Sequence, residues 1–346
     1  MLYITTRNHL DVYTSHHALS RDRGTCGGLY VPFQLSRFTQ EEISSLIGKP
    51  FTECIADILN LFFSARLDKN DIECSMGTEP LRLIPMSHKI TIAEVWNNPD
   101  WSFSRFVRNL NGRILGSADK GTPCNWTWLA VRIAVLFGVF AKLDSVGLVN
   151  QGQSIDISVC SGNFSAPMAA WYAREMGLPI GTIVFSCNEN SAAWELLHHG
   201  QLRPDEPVID TLTPFCDMAI PSDIERLINL TLGEDEAIPF ASAISSNRMY
   251  TLSEEKRRLL STGLFGAVIG RERTESIIRN VYRTNAYLLG PYSALAYGGL
   301  QDYRATNGEA TPALILTEDG PLCAGDTVAN VLGITKVSLL ERVRTV

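Results

Sequence analysis

Between residues 154 and 187 the chain reads as strand, glycine turn, helix, glycine-proline turn and strand, an order that few folds accommodate. Residues 154–160 (SIDISVC) and 182–187 (TIVFSC) are short apolar runs rich in β-branched side chains, and the 166–176 segment between them has a helical pattern. A connection of that length is a crossover, so the two strands are parallel neighbours in one sheet. The expected fold class is therefore α/β, built on a parallel sheet.

The flanking sequence divides around this unit. Ahead of it, residues 41–46 and 51–63 read as helices, and in the second Ile55, Ile58, Leu59, Phe62 and Phe63 fall on one face at three-and-four spacing. Residues 126–141 form a long apolar run interrupted by Arg132. It falls short of the roughly 20 residues a bilayer needs and reads as a buried helix, with no membrane implied. After the βαβ unit come helical patterns at 222–232, 253–261, 274–286 and 293–304, an apolar strand at 313–316 and a last helix from Asp326. We expect a small, mostly helical N-terminal domain over 1–90 and an α/β domain over 122–346. The irregular 91–121 segment, with turn signals at Asn97-Asn98-Pro99-Asp100 and Asn111-Gly112, would be a connector or remnant.

Composition narrows the function classes. With 37 acidic against 30 basic side chains and a net charge of -7, nothing favours a nucleic-acid partner. An apolar content of 45% with 19% charged residues describes a soluble globular chain. The eight cysteines include no CxxC pair, so a zinc ribbon or a thioredoxin-like site is unsupported, and dispersed thiols point to a reducing compartment, the cytoplasm by default. The first 20 residues lack the basic and apolar regions of a signal peptide.

Three strand ends could carry chemistry. Ser161, Gly162, Asn163, Phe164 and Ser165 run from a strand into a helix, where successive backbone N–H groups and the helix dipole suit a phosphate. The same residues also fit an ordinary turn capped by Asn163 or Ser165. Asn188, Glu189 and Asn190 end the next strand on the same rim, although Asn190 or Ser191 could simply cap the following helix. Glu318 and Asp319 end the strand near the C-terminus, facing a ligand there or lying solvated in the loop. The adjacent His198 and His199 point in different directions on a helix and have no third ligand spaced with them. Nucleophile-elbow, GxGxxG, Walker A and HExxH motifs are absent.

Taken together, these segments resemble threonine synthase, a fold-type II pyridoxal-phosphate (PLP) enzyme. The resemblance is carried by Tyr3-Ile4-Thr5-Thr6-Arg7 and Gly27-Gly28-Leu29-Tyr30-Val31-Pro32, by Ser161 to Ser165 against the family's SGNFG loop, and by the AREMGLP, Asn188-Glu189-Asn190 and LLHHGQ segments that follow. Pro291 and Ala294-Leu295-Ala296-Tyr297 are similar to the family's PHxAxAY helix start, with Tyr292 in place of its histidine. The resemblance implies PLP as a possible cofactor, with its phosphate held by residues 161–165, Asn188 nearby, and Glu318 where the family has a threonine against the pyridine nitrogen.

It also implies what is missing. With Pro99 and Phe103 in register with the family's lysine segment, Ser104 stands at the Schiff-base position. A hydroxyl can neither form an internal aldimine nor act as the amine base. Of the seven lysines only Lys89 and Lys120 flank the segment, and both also read as surface side chains. The interval between Arg113 and Trp126 has no room for the family's mobile substrate subdomain with its TSGDTG-like loop. The expectation is a degenerate threonine synthase-like protein keeping a PLP, phosphate or small-molecule cradle. The alternatives are an active PLP-dependent lyase of threonine biosynthesis or altered amino-acid chemistry, and an interaction or regulatory module. In that last reading the apolar 126–141 stretch, uncovered by the missing subdomain, meets a protein partner or a second copy in a homo-oligomer.

Overall fold

The structure is a computed structural model that describes residues 1–77, 81–95, 102–116, 121–150, 152–308 and 310–345. Strands β1 (Leu2–Thr5), β2 (Asn8–Thr14) and β3 (Tyr30–Pro32) form a small antiparallel sheet in the order β2-β1-β3. Helices Ser15–Ser20, Gln40–Leu46, Phe51–Phe63 and Lys69–Met76 accompany it in the N-terminal unit. In Phe51–Phe63 the apolar face is buried at Ile55, Ile58, Leu59, Phe62 and Phe63, as the spacing requires.

Six further strands make the central sheet: β4 (Arg82–Pro85), β5 (Ile90–Glu94), β6 (Ile155–Cys160), β7 (Ile180–Cys187), and, after the two-residue pair β8 (Gln201–Leu202) and β9 (Tyr250–Thr251), β10 (Leu264–Val268) and β11 (Ala313–Thr317). Their order is β10-β7-β6-β11-β5-β4, parallel throughout except for β4, which pairs antiparallel with β5. The domain is thus α/β with a mixed, mostly parallel sheet. The Ser165–Glu175 helix packs on one face, backed by Trp126–Ser145, while Pro291–Asn307 lies on the other with Arg271–Asn285 outside it. Gly299 lets that second helix touch the sheet, since a Cβ there would lie 2.0 Å from Ser186 Oγ.

Two expectations need correction. The described residues of 91–121 are no connector: β5 lies between β11 and β4, with all five residues buried. A parallel strand covered on both faces shows no apolar-polar alternation, so ITIAE gives no period to read. Behind it, Phe103–Leu115 is an amphipathic helix with Ser102 as N-cap, accepting from the Arg105 N–H. Phe103, Phe106, Val107 and Leu110 are buried in the core, and that packing overrides the Asn111-Gly112 turn signal. Asn97-Asn98-Pro99-Asp100 lies outside the described residues.

The second correction concerns Trp126–Ser145. Its most apolar window is 89% buried, because it packs between Phe51–Phe63 and Ser165–Glu175. A helix apolar on all sides belongs in an interior, so this stretch is not the exposed apolar surface that an interaction module would use. Phe62 is fully buried there, its ring 5.6 Å from that of Trp126. Phe62→Ala should destabilise the fold by about 3–5 kcal/mol, read as a lowered urea midpoint with an unchanged m-value.

Candidate functional site at the carboxyl rim of the sheet

Strands β5, β6, β7 and β11 all end at one rim. The chain runs across the sheet in one direction from β4 to β10 and then reverses to place β11 between β6 and β5. In open α/β sheets such a reversal opens a crevice beyond the strand ends.

The 161–165 loop forms one wall. The Ser161 N–H bonds Ser186 O, the Phe164 N–H bonds Ser161 O, and Gly162 and Phe164 adopt φ values of 46° and 71°. Phe164 anchors the turn by burying its ring 5.1 Å from Phe185. Asn163 then organises the polar atoms. Its Oδ1 accepts from the Ser165 N–H at 3.2 Å and the Ser165 hydroxyl at 2.6 Å, while its Nδ2 donates to Pro123 O at 3.0 Å. The loop thus answers part of its own helix N-terminus, and the Ser165 side chain lies where the family loop has glycine. Space remains at Gly162, where a Cβ would meet only Phe215 O at 3.9 Å.

Behind the loop the Asp223 N–H bonds Asn163 O, and the Asp223 carboxylate pairs with Arg226, both side chains fully buried. Arg226 also donates to Tyr30 O at 3.0 Å and Cys124 O at 2.9 Å.

Asn188 reaches the same rim and braces a segment lying over it. Its Nδ2 faces Thr211, Thr213 and Asp217 at 2.7–2.9 Å, and its Oδ1 accepts from the Asn190 N–H. That segment continues into a short 3-10 turn, Pro214–Cys216. Here the exposed Phe215 stacks on Tyr292 at 5.9 Å and donates its N–H to the Tyr292 hydroxyl.

The far wall is a partly buried ion pair, with 12% and 18% of the two side chains exposed. Glu318 receives two hydrogen bonds from Arg132, at 2.6 and 2.7 Å, and the guanidinium lies 4.2 Å above the Phe103 ring. Arg132 Nη1 has no hydrogen-bond partner among the described residues. Glu318 is therefore neither solvated nor free to face a ring nitrogen. Burial, reinforced by Glu318, raises the pKa of Asp319 beside it to about 6. Of the two readings that the sequence leaves open, solvated loop carboxylates or ligand-facing ones, the first describes neither Glu318 nor Asp319 in this structure. Sequence reading passed over Arg132, although a single charge inside an apolar helix was the available signal.

Ser104 follows Phe103 in the first turn of its helix, half-buried, with its hydroxyl 3.2 Å from that of Ser102. Lys89 is misplaced as a substitute. It precedes β5 at the opposite end of the sheet and donates to Ala310 O at 3.1 Å. Five strand residues separate it from the rim by about 16 Å. Lys49, Lys69, Lys256 and Lys336 pair with Asp57, Glu73, Glu236 and Asp326. Lys142 lies in the last turn of Trp126–Ser145, and Lys120 lies outside the described residues. No described lysine stands at the rim, so these residues do not fit PLP held as a Schiff base.

Two consequences can be measured. Arg132→Met leaves the Glu318 carboxylate unpaired and should cost about 3–5 kcal/mol in urea unfolding, most of it recovered when Glu318→Met is added. A carboxyl whose folded pKa lies above its unfolded value binds protons more strongly when folded, so its contribution to stability falls as pH rises between about 4 and 6. Asp319→Asn should therefore flatten the pH dependence across that window and raise Tm at pH 7 but not at pH 4.

Comparisons with known proteins agree with the geometry. A family model described as threonine synthase N terminus matches residues 2–76. Human threonine synthase-like 1 is 25% identical over 209 residues, which are 59% of this chain and 27% of that protein's length. Threonine synthase of Pseudomonas aeruginosa is 22% identical across 88% of this chain and 85% of its own. That alignment runs over 410 positions, more than the 346 residues here, so this chain is gapped internally against a longer relative. Among solved structures, yeast threonine synthase superposes with a TM-score of 0.85 at 19% identity, covering 100% of this chain and 94% of that one. PLP-bound threonine synthase from Brucella melitensis gives 0.84 at 18% identity, covering 99% and 94%. Residues 2–76 thus match the threonine synthase N-terminal family model, and across its length the chain has the fold of the solved threonine synthases.

Proposed function

We propose that this chain is a degenerate member of the threonine synthase group, without the lysine-dependent conversion of O-phosphohomoserine to threonine, that keeps a non-covalent site for a small phosphate-bearing or similar anionic ligand. The observation that carries the reading is the rim. By resemblance Ser104 takes the place of the amine, and Arg132 holds Glu318, the carboxylate that the resemblance sets at the pyridine-nitrogen position. An amine base is needed both to hold the cofactor and to move protons on substrate carbons, and no other rim side chain among those described substitutes for it.

The ligand part rests on the 161–165 loop. The 11-residue Ser165–Glu175 helix presents its N-terminus there, backed by Gly162 in a conformation that keeps the backbone uncovered. Eight free thiols fit residence in the reducing cytoplasm. A protein partner or second copy would meet a surface other than the buried Trp126–Ser145 helix.

Incubation with PLP followed by borohydride reduction and peptide mapping tests the catalytic part. No pyridoxyl-lysine is expected, and labelling of any lysine, Lys120 included, would overturn the reading. For the ligand part, calorimetry with inorganic phosphate should show binding that Gly162→Asp reduces at least tenfold. The Cβ has room, and Asp tolerates a left-handed backbone, so the change acts through charge. Equal phosphate affinity in both proteins, or none in either, removes the anion site.

A further inference from the structure

The central sheet has two edges, and they are finished differently. At one, β4 begins with Arg82 and ends in Pro85, a charge and a missing N–H of the kind that discourages a further strand. At the other, β10 reads Leu264-Phe265-Gly266-Ala267-Val268, with no charge, no proline and an unbroken register on β7. The Ile183 N–H bonds Gly263 O at one end of this strand, and the Ile269 N–H bonds Cys187 O at the other. Odd-numbered residues of β10 therefore face β7, and Leu264, Gly266 and Val268 turn their backbone groups outward. The Leu264 N–H returns to Ser261 O at 3.0 Å. Among the described residues, no hydrogen bond reaches the Leu264 carbonyl or the N–H and C=O groups of Gly266 and Val268.

These groups lie along an open cleft of about 800 Å³. The Ala192–His199 helix lines it on one face of the sheet with Trp194, Glu195 and His198, and Asp302 of the Pro291–Asn307 helix lines it on the other. The two faces follow from the strand itself. A Cβ on Gly266 would lie 2.5 Å from Phe185 Cζ and 3.0 Å from Trp194 Cδ1, so the glycine lets the Trp194 ring come down onto the strand. That ring is stacked on His198 with centroids 4.6 Å apart. Phe265 points the opposite way and packs on Tyr303 at 5.3 Å.

We propose that this cleft takes a short extended peptide segment of a partner protein, with basic and apolar side chains in alternation, as a strand added beside β10. The space matches such an occupant. A five-residue strand set about 4.8 Å from its neighbour, in a layer about 10 Å thick and with a rise of about 3.3 Å per residue, fills roughly 800 Å³. A second copy of this chain fits less well, because its own β10 is recessed between the same two helices and two recessed edges do not meet. The edge offers the newcomer two N–H donors and three carbonyl acceptors. Main-chain bonds of this sort supply affinity, and the side chains that alternate between the two faces supply selectivity.

Charge sets the selectivity. Arg257 in the cleft is held by Glu254 at 2.7 and 2.8 Å, and Asp302 by Arg273 at 2.5 and 2.7 Å. Glu195 has no ion-pair partner among the described residues, so the lining carries one uncompensated negative charge that a Lys or Arg of the segment answers. Leu264 and Val268 share the Trp194 face of the strand, and Val268 is 38% exposed, which leaves apolar surface for the segment's alternate side chains. β10 takes no part in the 161–165 loop or the Arg132–Glu318 wall, so the inference stands apart from the ligand proposed there.

The test is residue-resolved amide hydrogen exchange of the whole protein with a capped Lys-Val-Lys-Val-Lys-Val peptide at millimolar concentration. Exchange at Gly266 and Val268 should slow at least tenfold, while Phe265 and Ala267, already bonded to β7, stay unchanged. The Glu-Val counterpart should protect at least tenfold less, and a version with N-methylated valines should protect neither amide. Val268→Pro removes one outward N–H without touching the β7 ladder and should weaken the basic peptide at least tenfold. Should that variant fail to fold, Glu195→Gln decides, since it should abolish the preference for the basic peptide over the acidic one. The proposal is overturned if the basic peptide leaves Gly266 and Val268 unprotected, or if both peptides protect equally. Protection that rises with protein concentration in the absence of peptide would overturn it in favour of a second copy.

Discussion

The Arg226–Asp223 pair is the interaction on which the arrangement of this molecule depends. Both side chains are fully buried, and Arg226 reaches carbonyls of two distant segments, Tyr30 in the N-terminal sheet and Cys124 just before the long central helix. Asp223, through its backbone, holds Asn163 at the rim loop. The neighbouring Glu225 receives Thr6 and Arg7 from the end of β1. One helix start therefore joins the N-terminal unit, the entry to the Trp126–Ser145 helix and the rim. Burying two charges is costly by itself, and it is sustained here by close pairing, by two carbonyl acceptors and by the Trp126 ring 5.6 Å from the guanidinium. The loss of either partner would leave a bare charge at the junction of three segments, which makes the pair more important for specifying the arrangement than for net stability.

The rim shows a second use of the same chemistry. Where the family places a cofactor between a phosphate loop and a residue at the pyridine nitrogen, the polar groups of this chain answer one another: Asn163 with Ser165, Asn188 with Thr211, Thr213 and Asp217, and Glu318 with Arg132. The guanidinium over the Phe103 ring is planar, charged and seated between an aromatic face and a carboxylate. Those are recognition features of a ligand, supplied here from within the chain.

Much of this was legible in the sequence wherever one physical signal dominated. Phe51–Phe63, β6 and β7 announce themselves through period and turn chemistry, and the rim loop through its glycine between strand and helix. Elements defined by tertiary packing were not legible. β5 is buried on both faces and so has no alternation, and the Glu234–Ser245 helix carries Pro239 and follows Gly233, both local breakers. At the site, the proposed absence of the lysine rests on one position, Ser104, read by resemblance. That Glu318 is held by an arginine from a distant helix could not be read, since no spacing rule connects residues 132 and 318.

The same view explains how a chain shorter than its relatives keeps their fold. The Phe103–Leu115 and Trp126–Ser145 helices are both packed in the main core through Phe106, Leu110, Trp126 and Leu129. A difference in the link between two such helices takes no strand from the sheet and no helix from its faces, so the folding core is kept. The bidentate Arg132–Glu318 pair and the turn beside Gly162 occupy the rim from within the chain, so the polar groups that end there are satisfied by one another.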